Sequence, residues 1–221
     1  MLQVGEIVKR VRSAIDELMV NDSGFLTTSV DEENLSNVIK DKIPYALIYI
    51  IENAPLEKID GSMLDGLTSA ELAGTTAAAG QPVKVKLPTD VIRVVSARLS
   101  SWQQSPLPVM ESSQEYLMQQ DEYARGSWDR PVVAIAYHGT GRYLEFYSAK
   151  ATGDTVEASI VRKPTIGDTS VETTDVDVPV RLEAAFIYQI AGLSMVAFRE
   201  QVAQQLFSIA QSHLEFRGSQ P

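Results

Sequence analysis

The two histidines, His138 and His213, are the only imidazoles in this chain, and there is no cysteine. Thiol nucleophiles, zinc–thiolate centres and disulfides are therefore excluded, and proton transfer near neutral pH falls to these two rings with carboxylate partners. His138 lies in "VVAIAYHGTGRYLEFYSA", residues 132 to 149, beside a Gly-x-Gly. A phosphate-cradling glycine loop opens a helix after a strand, whereas here a second alternating apolar run comes next. The stretch therefore predicts two strands joined by the five residues "HGTGR", with Gly139 and Gly141 supplying the positive φ that a hairpin turn needs. Val133, Ile135 and Tyr137 share one face of the first strand, and Leu144 and Phe146 share one face of the second.

His213 lies 75 positions later in a predicted helix, and no HxxxH, HExxH or DxH spacing and no GxSxG elbow occurs. The adjacent acids Asp31 with Glu32 and Asp121 with Glu122 fall at helix starts or on solvated faces, where the helix dipole and solubility account for them. Trp102 in "SSWQQSP" and Trp128 in "GSWDRP" could frame an aromatic box, but a Trp that ends a strand and covers a sheet edge explains them as well. No catalytic, cofactor-binding or metal-ligating residue is assigned. The chain is read as a protein that is not an enzyme and holds no cofactor.

The formal charge is -10 over 221 residues, and residues 164 to 178 contain four acidic residues and no basic one. No Lys/Arg stripe is present, so a sequence-independent grip on nucleic acid is not expected. An acidic surface can still line a passage through which DNA slides without sticking. The apolar stretches "IPYALIYII" (43 to 51) and "AAFIYQIAGLSMVAF" (184 to 198) are shorter than the ~18 uncharged residues that a membrane span needs, so buried helices are expected. Glu6, Lys9 and Arg10 interrupt the opening residues, which do not read as a signal peptide.

These residues must be carried by elements that the periodicity outlines. Val4, Ile7, Val8, Val11, Ile15 and Leu18 predict a helix over 3 to 20. Ser29 with Glu32 marks the start of a second helix, kinked near Lys40 by Pro44 and ended before Pro55. Strands are expected at 83 to 87, with Lys84 and Lys86 outward, in "TDVIRVVSARLSSW", where a short helical turn enters an alternating run with Val95, Ala97, Leu99 and Ser101 on one face, and at 154 to 164. Ser112 with Glu115 predicts the cap of a short helix, "SQEYLMQQDEYA", that stops before Gly126. After Pro179 the pattern is helical to about residue 216, with a break near Gly192 or Arg199. The fold class expected is α+β. Residues 1–59 and 180–217 form a helical bundle of N-terminal helices plus long C-terminal helices, and residues 83–164 form an inserted small antiparallel β-sheet. Residues 60–82 and 165–179 are loops or connectors, and 218–221 form a tail.

The segments "VGEIVKRVRSAIDE", "LPTDVIRVVSARLSSW", "QEYLMQQDEYARGSWDRPVVAIAYHGTGRYLEFYSA" and "LEAAFIYQIAGLSMVAFREQVAQQLFSIAQSHL" occur in an order that resembles the head-to-tail adaptor (connector or ring) proteins of tailed phages. The likeness is greatest to those of crAss-like short-tailed phages, and it covers most of the chain apart from 60 to 82 and 165 to 178. It implies a structural virion protein in the neck or tail region, assembled in the host cytoplasm. A homo-oligomeric ring of about twelve copies would join the portal protein to other tail or ring proteins, with genome DNA passing through unread and no membrane partner. In such a ring the end of the chain, residues 206 to 221 with Phe216 and Arg217, is expected to meet the portal. The alternative reading is a small-molecule or protein binding module without catalysis.

Overall fold

The computed structural model describes residues 1–19, 29–73, 75, 82–119, 121, 123–127, 129–139, 141–147, 149–150 and 152–215, with the backbone alone over 29–32. In chain order the first elements are β1 (Leu2–Gln3), α1 (Val4–Leu18), α2 (Ser29–Asn53), β2 (Leu64–Gly66), β3 (Val83–Lys86) and β4 (Val91–Leu99). Then come β5 (Val109–Met110), α3 (Gln114–Met118), β6 (Val132–His138), β7 (Gly141–Tyr147), β8 (Val156–Arg162), β9 (Asp175–Val176), α4 (Glu183–Met195) and α5 (Glu200–Leu214). The protein is thus mixed α/β, with five α-helices and several sheets among the described residues. The chain divides into two compact units: Met1–Asp60 with Pro164–Pro221, and Gly61–Lys163.

In the first unit, α4 packs against α5, α2 and α1. It is buried on nearly every side, through Phe186, Ile187, Ile190, Ala191 and Met195 among others. α1 buries Val4, Ile7, Val8, Val11 and Ile15 as its spacing predicts. Gln3 offers α1 no side-chain cap. Its first free N–H groups are instead satisfied by main-chain carbonyls, Val4 N donating to Thr174 O at 3.0 Å and Gly5 N to Glu172 O at 2.9 Å. The stretch expected as a plain connector is therefore anchored: it caps α1, and β9 pairs antiparallel with β1.

Pro44 lies inside α2, which continues to Asn53. Proline removes one helical hydrogen bond and costs about 3 kcal/mol. Ile43, Leu47, Ile50 and Ile51, all fully buried, each return about 1.5–3 kcal/mol, so burial decides for the helix. The break after Pro179 falls between α4 and α5. At Gly192 an added Cβ would lie 2.5 Å from Phe207 Cε1, so the missing side chain lets the α5 ring sit against the α4 backbone. Among the described residues no helix is long and apolar enough to cross a membrane.

The second unit holds a four-stranded sheet in the order β3-β7-β6-β5 and a three-stranded sheet in the order β2-β8-β4. The sheets are thus more extensive than the small sheet expected. The added strands are β2, inside the stretch read as a loop, and β5, which pairs parallel to β6. Two- and three-residue strands are too short to show alternation, which is why periodicity did not mark them. One core joins the two sheets through Val83, Val85, Val94, Ala97, Leu99, Trp102, Leu144, Phe146 and Ile160. β4 is extended from Val91 onward, so the helical turn expected ahead of the alternating run is strand instead, and it has register irregularities between Val91 and Arg93 and between Val94 and Ser96. These place Val94 rather than Val95 in the core, a correction to the simple alternation.

The connection after β6 is also tighter than predicted. Pairing extends to His138 with Gly141, and of the two glycines Gly139, at φ 57°, has the positive φ while Gly141 does not. Gly141 is small for another reason, since a Cβ there would lie 2.8 Å from Tyr143 Cε2. The cap of α3 is Ser113 rather than Ser112, its Oγ accepting from Tyr116 N at 3.1 Å, and the helix ends at Met118 rather than just before Gly126.

Candidate functional site

The chain's most unusual chemistry lies on the face of the four-stranded sheet that turns away from the shared core. Leu144 and Phe146 point into that core, so the pleat sends Glu145 the other way, between Lys84 of β3 and Ala134 of β6 in the register. Glu145 is buried, its side chain 1 % exposed, beside the cluster formed by Tyr116 of α3, Ala134, Ala136 and Tyr147. Lys84 Nζ donates to Oε1 at 2.6 Å, His138 Nε2 lies 2.6 Å from the same oxygen, and the Tyr147 hydroxyl donates to Oε2 at 2.6 Å.

A buried carboxylate without partners costs several kcal/mol, and this one is retained because three donors converge on it. Burial pushes the Glu145 carboxyl up, but the hydrogen bonds from Lys84, Tyr147 and His138, with the Lys84 charge, outweigh it and hold the group below the usual carboxylate range. The Tyr147 phenol is driven far up by burial and by the hydrogen bond to Glu145. Burial, then the Glu145 charge, raises Tyr116. Tyr143 lies beside the His138 ring at 5.5 Å.

This constellation is an acceptor already spent. A general base needs a lone pair directed at a substrate proton, and both Glu145 oxygens face protein donors. Among the described residues, His138 bonds to Glu145 through its ring, and no hydroxyl nucleophile is bonded to that ring. The network ties β3, β6 and β7 together and fixes where Lys84 and His138 reach the surface.

A second polar centre surrounds Arg162 on β8. Its Nε donates to Asp65 at 2.8 Å, its Nη2 to Glu71 at 2.8 Å and to Gly66 O at 3.2 Å, and its Nη1 to Asp90 at 2.9 Å and to Glu71 at 2.9 Å. The bidentate pairing holds the Glu71 carboxyl down to about 2, with help from the Thr68 N–H, and the separate hydrogen bond from Arg162 Nε, with the Gly66 N–H, lowers Asp65. The three carboxylates in turn raise Arg162. This fork pins the 61–73 stretch to β8, and Leu67 and Leu72 pack on the core beside it. Among the described residues no group of three or more His, Asp or Glu side chains is placed to hold a metal.

The first unit carries an open groove of about 400 Å³ between α1 and α4, lined by residues that include Arg10, Ser13, Glu17, Glu183, Ile187 and Tyr188. Arg10 bridges Glu6 at 2.5 Å and Glu183 at 3.2 Å on its rim. Tyr188 stacks on His213 of α5, ring centroids 5.6 Å apart and 10° from parallel.

His138 and His213 therefore belong to different units. Trp102 is a core residue, 2 % exposed and 6.0 Å from the Phe146 ring. Asp121 is exposed, its carboxylate accepting from Tyr123 N. Trp128, Glu122, Phe216 and Arg217, and the side chains of Asp31 and Glu32, lie outside the described residues. Leu206 and Leu214 of the terminal segment are buried, and Lys58 Nζ donates to Glu215 O at 3.0 Å. α5 is thus built into its own unit. Sequence reasoning missed Glu145, Tyr147 and Arg162. The available signal was a charge at the centre of "YLEFY", opposite a lysine strand. No protein-family profile matches the chain, and a search of curated proteins finds no significant match.

Proposed function

We propose that the protein is a head-to-tail adaptor: a structural virion subunit that joins a portal to the tail in a ring around the genome channel. The observation that carries the reading is the division of the chain. Helices from both ends make one unit, and residues 61–163 make a β-rich unit between them, the bundle-plus-insertion order that the adaptor resemblance implies. Charge adds support. Acidic residues outnumber basic ones about twofold in the helical unit and nearly balance them in the β unit, which suits a wall past which DNA moves without adhering. The polar centres are ion pairs closed on themselves, as expected of a scaffold.

The test is native mass measurement and electron microscopy of the protein alone and with a portal protein of a crAss-like short-tailed phage. A ring of about twelve copies seated on the portal, with a channel admitting a duplex, is the expected result. A chain that remains monomeric in both conditions refutes the reading. The α1–α4 groove favours the second reading, a binding module without catalysis. A stable monomer whose Tyr188 environment shifts with a small ligand would establish that instead.

A further inference from the structure

The two outer strands of the four-stranded sheet carry opposite chemistry. At one edge, β3 presents Lys84 and Lys86, and no acidic residue occurs between residues 72 and 89. At the other edge, β5 and α3 with the residues around them carry Glu111, Glu115 and Asp121, and the nearest basic residue in sequence is Arg125, whose Nε donates to Gln119 O at 3.1 Å. This second edge also exposes apolar side chains: Leu107 at 65 %, Met110 at 49 %, Leu117 at 63 % and Tyr123 at 98 %. Large apolar groups concentrated along one short segment mark a surface that is normally covered.

We infer that the β5–α3 edge of one copy docks on the β3 edge of a second copy of this chain, forming the lateral contact of a head-to-tail ring. The inference rests on the adaptor reading and supplies its interface. A heterologous contact requires two different patches on opposite sides of the subunit. The outer strands of this sheet, three strand spacings or about 14 Å apart, provide them. Charge complementarity selects the pairing. Two β3 edges would set lysines against lysines, and two β5–α3 edges would set carboxylates against carboxylates, so both two-fold arrangements are repelled. Lysines on an open strand also keep it from pairing with arbitrary strands, while an acidic edge is still accepted. Glu145 contributes by holding Lys84 in place, at 2.6 Å from Oε1.

The experiment uses Lys86→Glu, Glu115→Lys and the double exchange in the full-length protein. Both side chains are solvent-exposed, and tryptophan fluorescence verifies that the second unit remains folded. Ring formation on the portal is measured by mass photometry against protein concentration. Each single reversal is expected to raise the half-assembly concentration about tenfold or more, and the double exchange to bring it back within about threefold of the parent. Single variants that assemble like the parent, or a double variant no better than the singles, overturn this interface while leaving the adaptor reading standing. Crosslinks between identical residues across a two-fold axis overturn it as well. A parent chain that forms no ring with or without the portal overturns both.

Discussion

Replacing Glu145 with Gln keeps the shape of the side chain and removes its charge. Three hydrogen bonds end on the native carboxylate, two from side chains that reach solvent and one from the buried Tyr147 hydroxyl. The amide can still accept through one oxygen, but its nitrogen must face either Lys84 with His138 or Tyr147, so one side of the network loses its acceptor. Hydrogen bonds to a charged group contribute about 1.5–3 kcal/mol each when buried, and pairs with half-exposed partners about 1 kcal/mol or less. The expected loss is about 2 kcal/mol at pH 7. For a unit of this size that corresponds to a fall in midpoint temperature on the order of 10 °C. Both tryptophans lie within residues 61–163, so their fluorescence during urea or thermal unfolding reports this unit. The pH dependence is the sharper test. Because the folded carboxyl lies below its ordinary value of 4.5, its stabilisation is fully present above about pH 5 and is lost as pH falls through the depressed folded value. The parent should therefore lose its advantage over the Gln variant between pH 5 and strongly acidic conditions. A difference that is absent at pH 7, or that stays constant to pH 3, would refute the assignment of Glu145 as an ionised anchor.

His138→Ala should cost less than about 1 kcal/mol, because the ring is half-exposed and Lys84 and Tyr147 still hold Glu145, and it should leave the proposed ring assembly intact; a folded variant that no longer assembles where the parent does would show a functional role for the imidazole. Gly139→Val should destabilise the hairpin by about 1–2 kcal/mol, the cost of a left-handed φ for a residue with a Cβ, read by urea unfolding. Gly192→Ala should cost about 1–3 kcal/mol by overpacking against Phe207, and Phe207→Leu in the same chain should recover much of it in thermal melts. Arg162→Ala should raise amide hydrogen exchange across residues 64–72 with little change in β6 or β7, since the guanidinium is what fastens that stretch to β8. In the parent, the Glu71 contribution to this fastening is present above about pH 4.5 and disappears as pH falls through about 2.

Long periodic elements were legible from the residues alone, and short or context-dependent ones were not. α1, the hairpin of β6 and β7, and the division of the terminal helical region each come from alternation or from three- and four-residue spacing that burial then uses. β2 and β5 escaped because two or three residues carry no period, and the β4 bulges because an inserted residue shifts the face without changing composition. The helix running through Pro44 and ending before Pro55 was legible as well, and the burial of Ile43, Leu47, Ile50 and Ile51 offsets what the proline costs. The Glu145 network was the hardest to foresee. Lys84 and Glu145 lie 61 positions apart in sequence, and their meeting depends on a strand register that pattern alone does not fix. No motif spacing offers His138 a partner, while its actual partner sits seven positions away across the turn.

The capping of α1 by the carbonyls of Glu172 and Thr174 bears on the order in which the chain acquires structure during synthesis. α1 and α2 leave the ribosome first, yet the helix that buries their apolar faces begins at Glu183. All segments of the β unit, in contrast, are complete once Lys163 has emerged. At 5–20 residues per second, Ile7, Ile39 and Leu47 wait on the order of ten seconds for their partners, while a finished β unit hangs between them and the peptidyl-transferase centre. The helical unit is thus the slow, high-separation partner in folding, and closing it requires bringing together ends some 170 residues apart. In a cell making many copies at once, that interval is when exposed aliphatic faces on neighbouring nascent chains can find each other. Chaperone demand should accordingly track the first sixty residues rather than the β unit, and a ribosome-stalled chain ending at 163 should show protease-resistant strands beside protease-sensitive helices.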